Sequence, residues 1–162
     1  MPLTTRLATL ADAETIGAIV DAMDRHYRGP DGASGVAASA AMVRRTMAEQ
    51  EGTRFLLAFE NETPVGIACF GILRPGRQLS GVIFLEDLFT LPEHRSRGVG
   101  STLLRDLAHY AVEHGIGRID FETDGANTGA QKLYDKLGGQ RLEKIHYRFD
   151  GDRLARLARG GT

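Results

Sequence analysis

The sequence predicts an α/β fold in which helices flank a mixed, largely antiparallel sheet, and three observations carry that prediction. Apolar runs of strand length follow one another at 55–60, 65–73 and 81–91, and the first two are joined by the hairpin signal Asn61-Glu62-Thr63-Pro64. Stretches with helical spacing lie before and after this block. No internal repeat, low-complexity segment or linker interrupts the chain, so residues 1–162 are expected to form a single domain.

Taken in order, 4–9 alternates weakly and leads to Thr9-Leu10-Ala11-Asp12, where a Thr is followed three residues later by an acid, the spacing of a capping box. Ile16, Ile19, Val20 and Met23 then fall on one helical face. Gly29-Pro30 ends that helix, 29–35 is a loop, and 39–49 resumes helical spacing through Met42, Val43 and Met47. After the three apolar runs, Leu103, Leu104, Leu107, Ala108 and Ala111 give a helix that stops near Gly115. Residues 118–123 predict a short strand, 128–137 a helix closed by Gly138-Gly139, and 141–149 a final strand before a basic tail.

Composition narrows the function. The 162 residues carry 20 Lys plus Arg against 21 Asp plus Glu, a net charge of -1, so no global positive field favours nucleic acid or an anionic membrane. Cys69 is the single cysteine, which rules out an intrachain disulfide and a cysteine metal cluster. No apolar signal stretch opens the sequence and no run approaches the roughly 20 apolar residues of a membrane helix, so a cytoplasmic protein is expected. Neither nucleic acid nor membrane is expected as a partner. The five histidines offer no same-face metal pair, since His109 and His114 are five apart, and no metal is expected.

The most informative stretch is Leu85-Glu86-Asp87-Leu88-Phe89-Thr90-Leu91-Pro92-Glu93-His94-Arg95-Ser96-Arg97-Gly98-Val99-Gly100-Ser101, which reads as strand, glycine turn and helix start. Gly98 and Gly100 let successive amides converge on phosphate oxygens, the helix start adds its positive end, and Arg95 and Arg97 flank the turn. No Gly-Lys-Ser or Gly-Lys-Thr follows, which disfavours a nucleoside-triphosphate loop, and the third glycine of a dinucleotide fingerprint is absent. A different pyrophosphate ligand is implied.

Here Arg95-Ser96-Arg97-Gly98-Val99-Gly100 resembles the Arg/Gln-x-x-Gly-x-Gly/Ala signature of the GCN5-related N-acetyltransferases, the GNAT superfamily. Downstream, Asn127-Thr128-Gly129-Ala130-Gln131-Lys132-Leu133-Tyr134-Asp135-Lys136-Leu137-Gly138 is similar to that family's second motif, and the order of elements agrees along nearly the whole chain. The resemblance implies a GNAT-type sheet and acetyl-CoA as co-substrate. It places the pyrophosphate on Arg95, Ser96, Arg97, Gly98, Val99, Gly100 and Ser101, the pantetheine arm and thioester on Leu88, Phe89 and Thr90, and further cofactor contacts on Asn127 and Ala130. Tyr134 takes the role of the acid that protonates the departing thiolate.

Acetyl transfer to an amine needs a neutral nucleophile, whereas most alkylammonium groups are protonated at neutral pH, so a carboxylate must take a proton. Glu86 and Asp87 sit inside an otherwise apolar strand. Strict alternation turns only one of them to the reaction centre, and Glu86 is the expected base with Asp87 its alternate. The run Phe84-Leu85-Glu86-Asp87-Leu88-Phe89-Thr90 is also similar to the acidic strand of diamine acetyltransferases, which implies a polyamine or other small amine as acceptor and a homodimer as the assembly. Arg74 and Arg77 would repel a polycation, and Ala126 stands where the family has a bulky residue. A peptide or protein N-acetyltransferase and a non-catalytic acetyl-CoA-binding module are the other classes in view. His26, beside the 25–38 loop, is a candidate for the acceptor pocket.

Overall fold

The computed structural model describes residues 2–50 and 52–160. Their backbone forms two compact units that divide between Thr128 and Gly129. The first holds the whole sheet, in the order β1 (Leu3–Leu7), β2 (Thr53–Glu60), β3 (Thr63–Leu73), β4 (Val82–Thr90) and β5 (Ile119–Phe121). The pairings are antiparallel as far as β4, and β4 with β5 is parallel. The predicted mixed, largely antiparallel architecture is the one observed.

Helices cover both faces of this sheet, which is why its strands read as unbroken apolar runs. In β2 the alternation is clean: Phe55 and Leu57 join a core with Ile16 and Ile19 of α1 (Ala13–Arg28) and Val43 of α2 (Val36–Ala48). Leu56 and Ala58 join the opposite core with Val99, Leu103 and Leu107 of α3 (Val99–Glu113). A two-residue turn at Asn61 and Glu62 connects β2 to β3, and Asn61 takes the left-handed φ of 57° that asparagine tolerates better than most residues.

The start of α1 follows its capping signal. The Asp12 carboxylate accepts from the Thr9 amide at 2.7 Å and from both Arg6 Nη atoms at 2.8 and 2.7 Å. The helix ends at Arg28. Asp21, only 5% exposed, then organises the connection to α2, accepting from Arg25 Nε at 2.7 Å and from the Gly35 amide at 2.9 Å. The two helices meet at Gly17, where a Cβ would lie 2.6 Å from Ala40 N and 2.7 Å from Ala40 Cα. Gly17→Ala is therefore expected to destabilise the fold by about 1–2 kcal/mol, because overpacking outweighs alanine's better helix propensity. A urea midpoint no lower than that of the unaltered chain would show that the helices separate at no cost.

The second unit holds α4 (Thr128–Lys136) from its second residue onward, an irregular segment, and α5 (Gly151–Ala158). The strand expected at 141–149 does not form. Its apolar residues run Leu142, Ile145, Tyr147, Phe149, so the parity changes after the first, and all four are more than half exposed. Alternation alone gives no strand without a partner edge for the backbone groups. Arg141 instead turns back to Asp135, donating at 3.0 and 2.6 Å. The basic tail is helical, with Leu154 and Leu157 three apart and Asp150 as N-cap. Among the described residues no helix is long and apolar enough to cross a membrane.

Candidate functional site

Strand β4 carries the acidic pair, and its register decides where each member points. Cys69 of β3 lies opposite Asp87 while the next residue, Phe70, lies opposite Leu85, so Glu86 has no opposite residue and forms a bulge. The faces confirm it. Leu85 packs in the α3-side core and Phe89 in the α1-side core, although four residues apart they would share a face in a regular strand. The expectation of strict alternation through the pair is thus corrected: Asp87 follows Phe89 to the α1 side and is half-buried, whereas Glu86 is the exposed, extra residue.

The same bulge coincides with the end of the parallel ladder. β5 pairs with β4 only from Ile83 to Leu85, so among the described residues Asp87 to Thr90 are paired on the β3 side alone. The segment that includes Leu88, Phe89 and Thr90 accordingly offers main-chain groups along one edge.

Burial raises the Asp87 carboxyl above the usual carboxylate range; the charges of Glu86 and Asp24 add to the rise, and Arg28 opposes it. Asp24 and Arg28 form an i,i+4 ion pair at 3.7 Å on the last turn of α1. Neither was marked by the sequence, because nothing local tells which strand a helix end will face. Cys69 is half-buried, and burial with the two carboxylates pushes its thiol up to about 12. His26 and Tyr27, also on that turn, meet the Phe89 ring at centroid distances of 5.9 and 6.2 Å, which brings the His26 candidate beside the site strand.

Beyond β4 the chain enters the turn that precedes α3. Leu91 N donates to Val65 O, and a short 3-10 turn at Pro92–His94 follows. Arg95 donates from Nε to Thr90 O at 3.2 Å, with its guanidinium 5.6 Å from the Phe89 centroid. Gly98 has φ 89° and caps α3, as a left-handed residue there requires. Gly100 does not share that geometry: it lies within the first turn of α3, and the second left-handed residue of the turn is Ser96, with φ 61°. Ser101 Oγ donates to Gly98 O at 2.8 Å. The amides of Val99, Gly100 and Ser101 open the helix and have no acceptor within it. Gly66 lets α3 begin this close to the sheet, since a Cβ there would lie 2.8 Å from Val99 Cγ1 and 2.9 Å from Phe89 O.

Arg97 reaches Glu60 at the end of β2, Nη1 to Oε2 at 3.2 Å, and His94 Nδ1 lies 3.0 Å from the same oxygen. Glu60 is a participant that no sequence signal marked. At the other end of the sheet Arg74 donates from Nη2 to His114 O at 3.0 Å, satisfying a carbonyl at the C-terminus of α3, where a cation is favoured. The Arg77 side chain lies outside the described residues.

Asn127 precedes α4 rather than sitting inside it, with its amide bonded to Asp124 O at 2.9 Å. Ala130 and Tyr134 lie on α4 in the second unit, and the Tyr134 carbonyl accepts from Gly139 N at 2.9 Å at the helix end. Among the described residues no three His, Cys, Asp or Glu side chains are gathered so as to hold a metal ion.

Residues 18–139 match the acetyltransferase (GNAT) family. Thialysine N-epsilon-acetyltransferase of Bos taurus is 32% identical over 80 residues, 47% of each chain. Aminoglycoside N(6')-acetyltransferase type 1 of Salmonella typhimurium is 33% identical over 70 residues, 43% of this chain and 48% of that one. The match therefore spans about half the length of these curated relatives. Among solved structures, an integron cassette protein from the mobile metagenome of V. cholerae superposes with a TM-score of 0.89 at 28% identity, covering 98% of both chains.

Proposed function

This chain belongs to the acetyltransferase (GNAT) family, and on that premise we propose that it transfers an acetyl group from acetyl-CoA to the primary amine of a small molecule, a polyamine or other small amine. The observation that carries the reading is the half-buried Asp87, set by the Glu86 bulge on a strand that runs straight into the left-handed turn at Ser96 and Gly98. The turn's amides, with Arg95 and Arg97, would hold the pyrophosphate, and the one-sided edge at Leu88, Phe89 and Thr90 the pantetheine arm. Asn127 and Ala130 add contacts by resemblance alone.

Asp87 is the base we favour over Glu86. Its raised carboxyl is a better proton acceptor than an ordinary one, and Asp24 and Glu86 add negative charge that draws an ammonium group to it. Direct transfer is the chemistry this supports, because a thiol pushed up to about 12 keeps Cys69 protonated and unsuited to carry the acetyl group. Tyr134 is assigned the proton donor to the departing sulfur on resemblance. Arg74 keeps its charge at His114 O, but it follows Leu73, which pairs with Val82, five residues along β4 from Asp87, so that charge is set back from the acid and weighs less against a cationic acceptor. The relatives' names, thialysine and aminoglycoside acetyltransferases, also describe small amine acceptors. A homodimer acting in the cytoplasm belongs to the same proposal.

The test is thiol release from acetyl-CoA with a panel of lysine analogues, polyamines, aminoglycosides and peptides, the assembly being read by sedimentation of the same sample. Turnover confined to small primary amines is expected. Peptide turnover alone would move the chain to the peptide N-acetyltransferases, and acetyl-CoA binding without turnover on any amine would make it a binding module.

A further inference from the structure

One carboxylate reaches both ends of the turn between β4 and α3. Glu60 closes β2, which is separated from β4 by β3, and its side chain is only 18% exposed. Oε2 lies 3.0 Å from His94 Nδ1 and 3.2 Å from Arg97 Nη1. These two residues bracket Arg95 and Ser96. The grip therefore falls on either side of the left-handed Ser96, in a turn where Gly98 is left-handed as well. Two such residues in a span of three are not a shape a free chain adopts readily, and it persists only when surrounding contacts over-determine it. Within the turn, Arg95 is tied to Thr90 O and Ser101 to Gly98 O, but among the described residues only Glu60 fastens the turn to another part of the sheet through side chains on both flanks.

We propose that Glu60 is a positioning residue for coenzyme A, a clamp that holds the turn's amides in their anion-binding arrangement before the pyrophosphate arrives. The inference rests on the coenzyme A reading of this turn and adds to it a residue from a distant strand. A carboxylate beside an anion site also repels the anion, so the two effects must be weighed. Glu60 is too little exposed for salt to screen it fully, but the Arg97 guanidinium at 3.2 Å offsets its charge. Without the clamp, four turn residues would have to be ordered on binding, each at a backbone entropy cost. Preorganisation is the larger effect.

The experiment is calorimetric titration with coenzyme A of the unaltered chain and of Glu60→Ala, Glu60→Gln and Glu62→Gln, with the melting temperature of each in the absence of ligand. Steady-state kinetics with acetyl-CoA at saturating acceptor accompany it. Glu60→Ala is expected to weaken coenzyme A binding roughly tenfold. Glu60→Gln, whose carbonyl can still accept from His94 and Arg97, should lose about threefold. The acetyl-CoA KM should rise in step while kcat changes less than twofold. Glu62→Gln removes an exposed charge from the adjoining hairpin and should bind as the unaltered chain does. Glu60→Ala binding coenzyme A as tightly as the unaltered chain, or more tightly, overturns the clamp. So does a lowered melting temperature with unchanged affinity, and so does an equal loss in Glu62→Gln. If the unaltered chain itself fails to bind coenzyme A, the cofactor reading falls and the clamp with it, whereas wild-type binding with an indifferent Glu60→Ala removes the clamp alone.

Discussion

Gly98→Asp is expected to abolish the thermal stabilisation that coenzyme A gives the unaltered chain. A ligand bound only by the native state at a hundred times its Kd stabilises by about 2.7 kcal/mol, several degrees of melting temperature for a chain of this size. Position 98 has φ 89°, so any side chain there incurs about 1–2 kcal/mol of left-handed strain. That part lowers the melting temperature with or without ligand. The carboxylate adds a second effect, because a negative charge about 4 Å from a phosphate at the protein surface costs about 4 kcal/mol at an effective dielectric constant of about 20. Affinity should fall by at least about a hundredfold, more than the strain alone explains. Gly98→Ala separates the two, since it carries the strain without the charge. Arg95→Ala should lose about tenfold, the worth of one charge-assisted contact on an exposed turn. An undiminished coenzyme A shift in Gly98→Asp would withdraw the pyrophosphate from this turn.

That turn also shows what the sequence could and could not disclose. Its glycines are visible as residues, and Gly98 does what a glycine at a helix entrance is expected to do. The left-handed partner is Ser96 rather than Gly100, and no propensity argument selects a serine for φ 61°. Glu60 was invisible for a different reason. It lies 34 residues from His94 and 37 from Arg97, and a contact across two strands leaves no periodic trace. Local patterns did better. Ile16 and Ile19 marked the buried face of α1, and the 55–60 run placed β2 because both of its faces are covered.

Register was the harder quantity. The Glu86 bulge exists because β3 and β4 fall out of step between Cys69 and Phe70, a property of the pair of strands and not of either one. A single strand read in isolation gives strict alternation and so assigns the acids to faces by parity. The 141–149 segment failed in a related way, since apolar residues there suggested a strand while Leu142 already broke the parity that one requires.

Asp87→Asn tests the consequence of that bulge. If Asp87 takes the ammonium proton, turnover at pH 7 should fall about a hundredfold, and the deficit should shrink as the pH rises and more acceptor amine is already neutral. Stability should move the other way. The folded carboxyl titrates above its unfolded value, so the native state binds the proton more tightly and ionisation opposes folding. That cost is absent below the ordinary carboxylate pKa, grows as the pH rises through the raised value, and persists above it. Asp87→Asn should therefore melt higher than the unaltered chain at pH 8, with the gap closing at acid pH. Neighbours supply the sign control. Glu86→Gln removes a charge that raises Asp87 and should carry the acid limb of the activity profile to lower pH, whereas Arg28→Ala removes the opposing charge and should carry it to higher pH. Tyr134→Phe, which lacks only the hydroxyl, should reduce kcat without changing coenzyme A affinity if the phenol protonates the departing sulfur. Were Glu86→Gln to show the pH-dependent rescue and Asp87→Asn to retain full turnover, the base would be the bulged residue, and the half-buried acid would only position it.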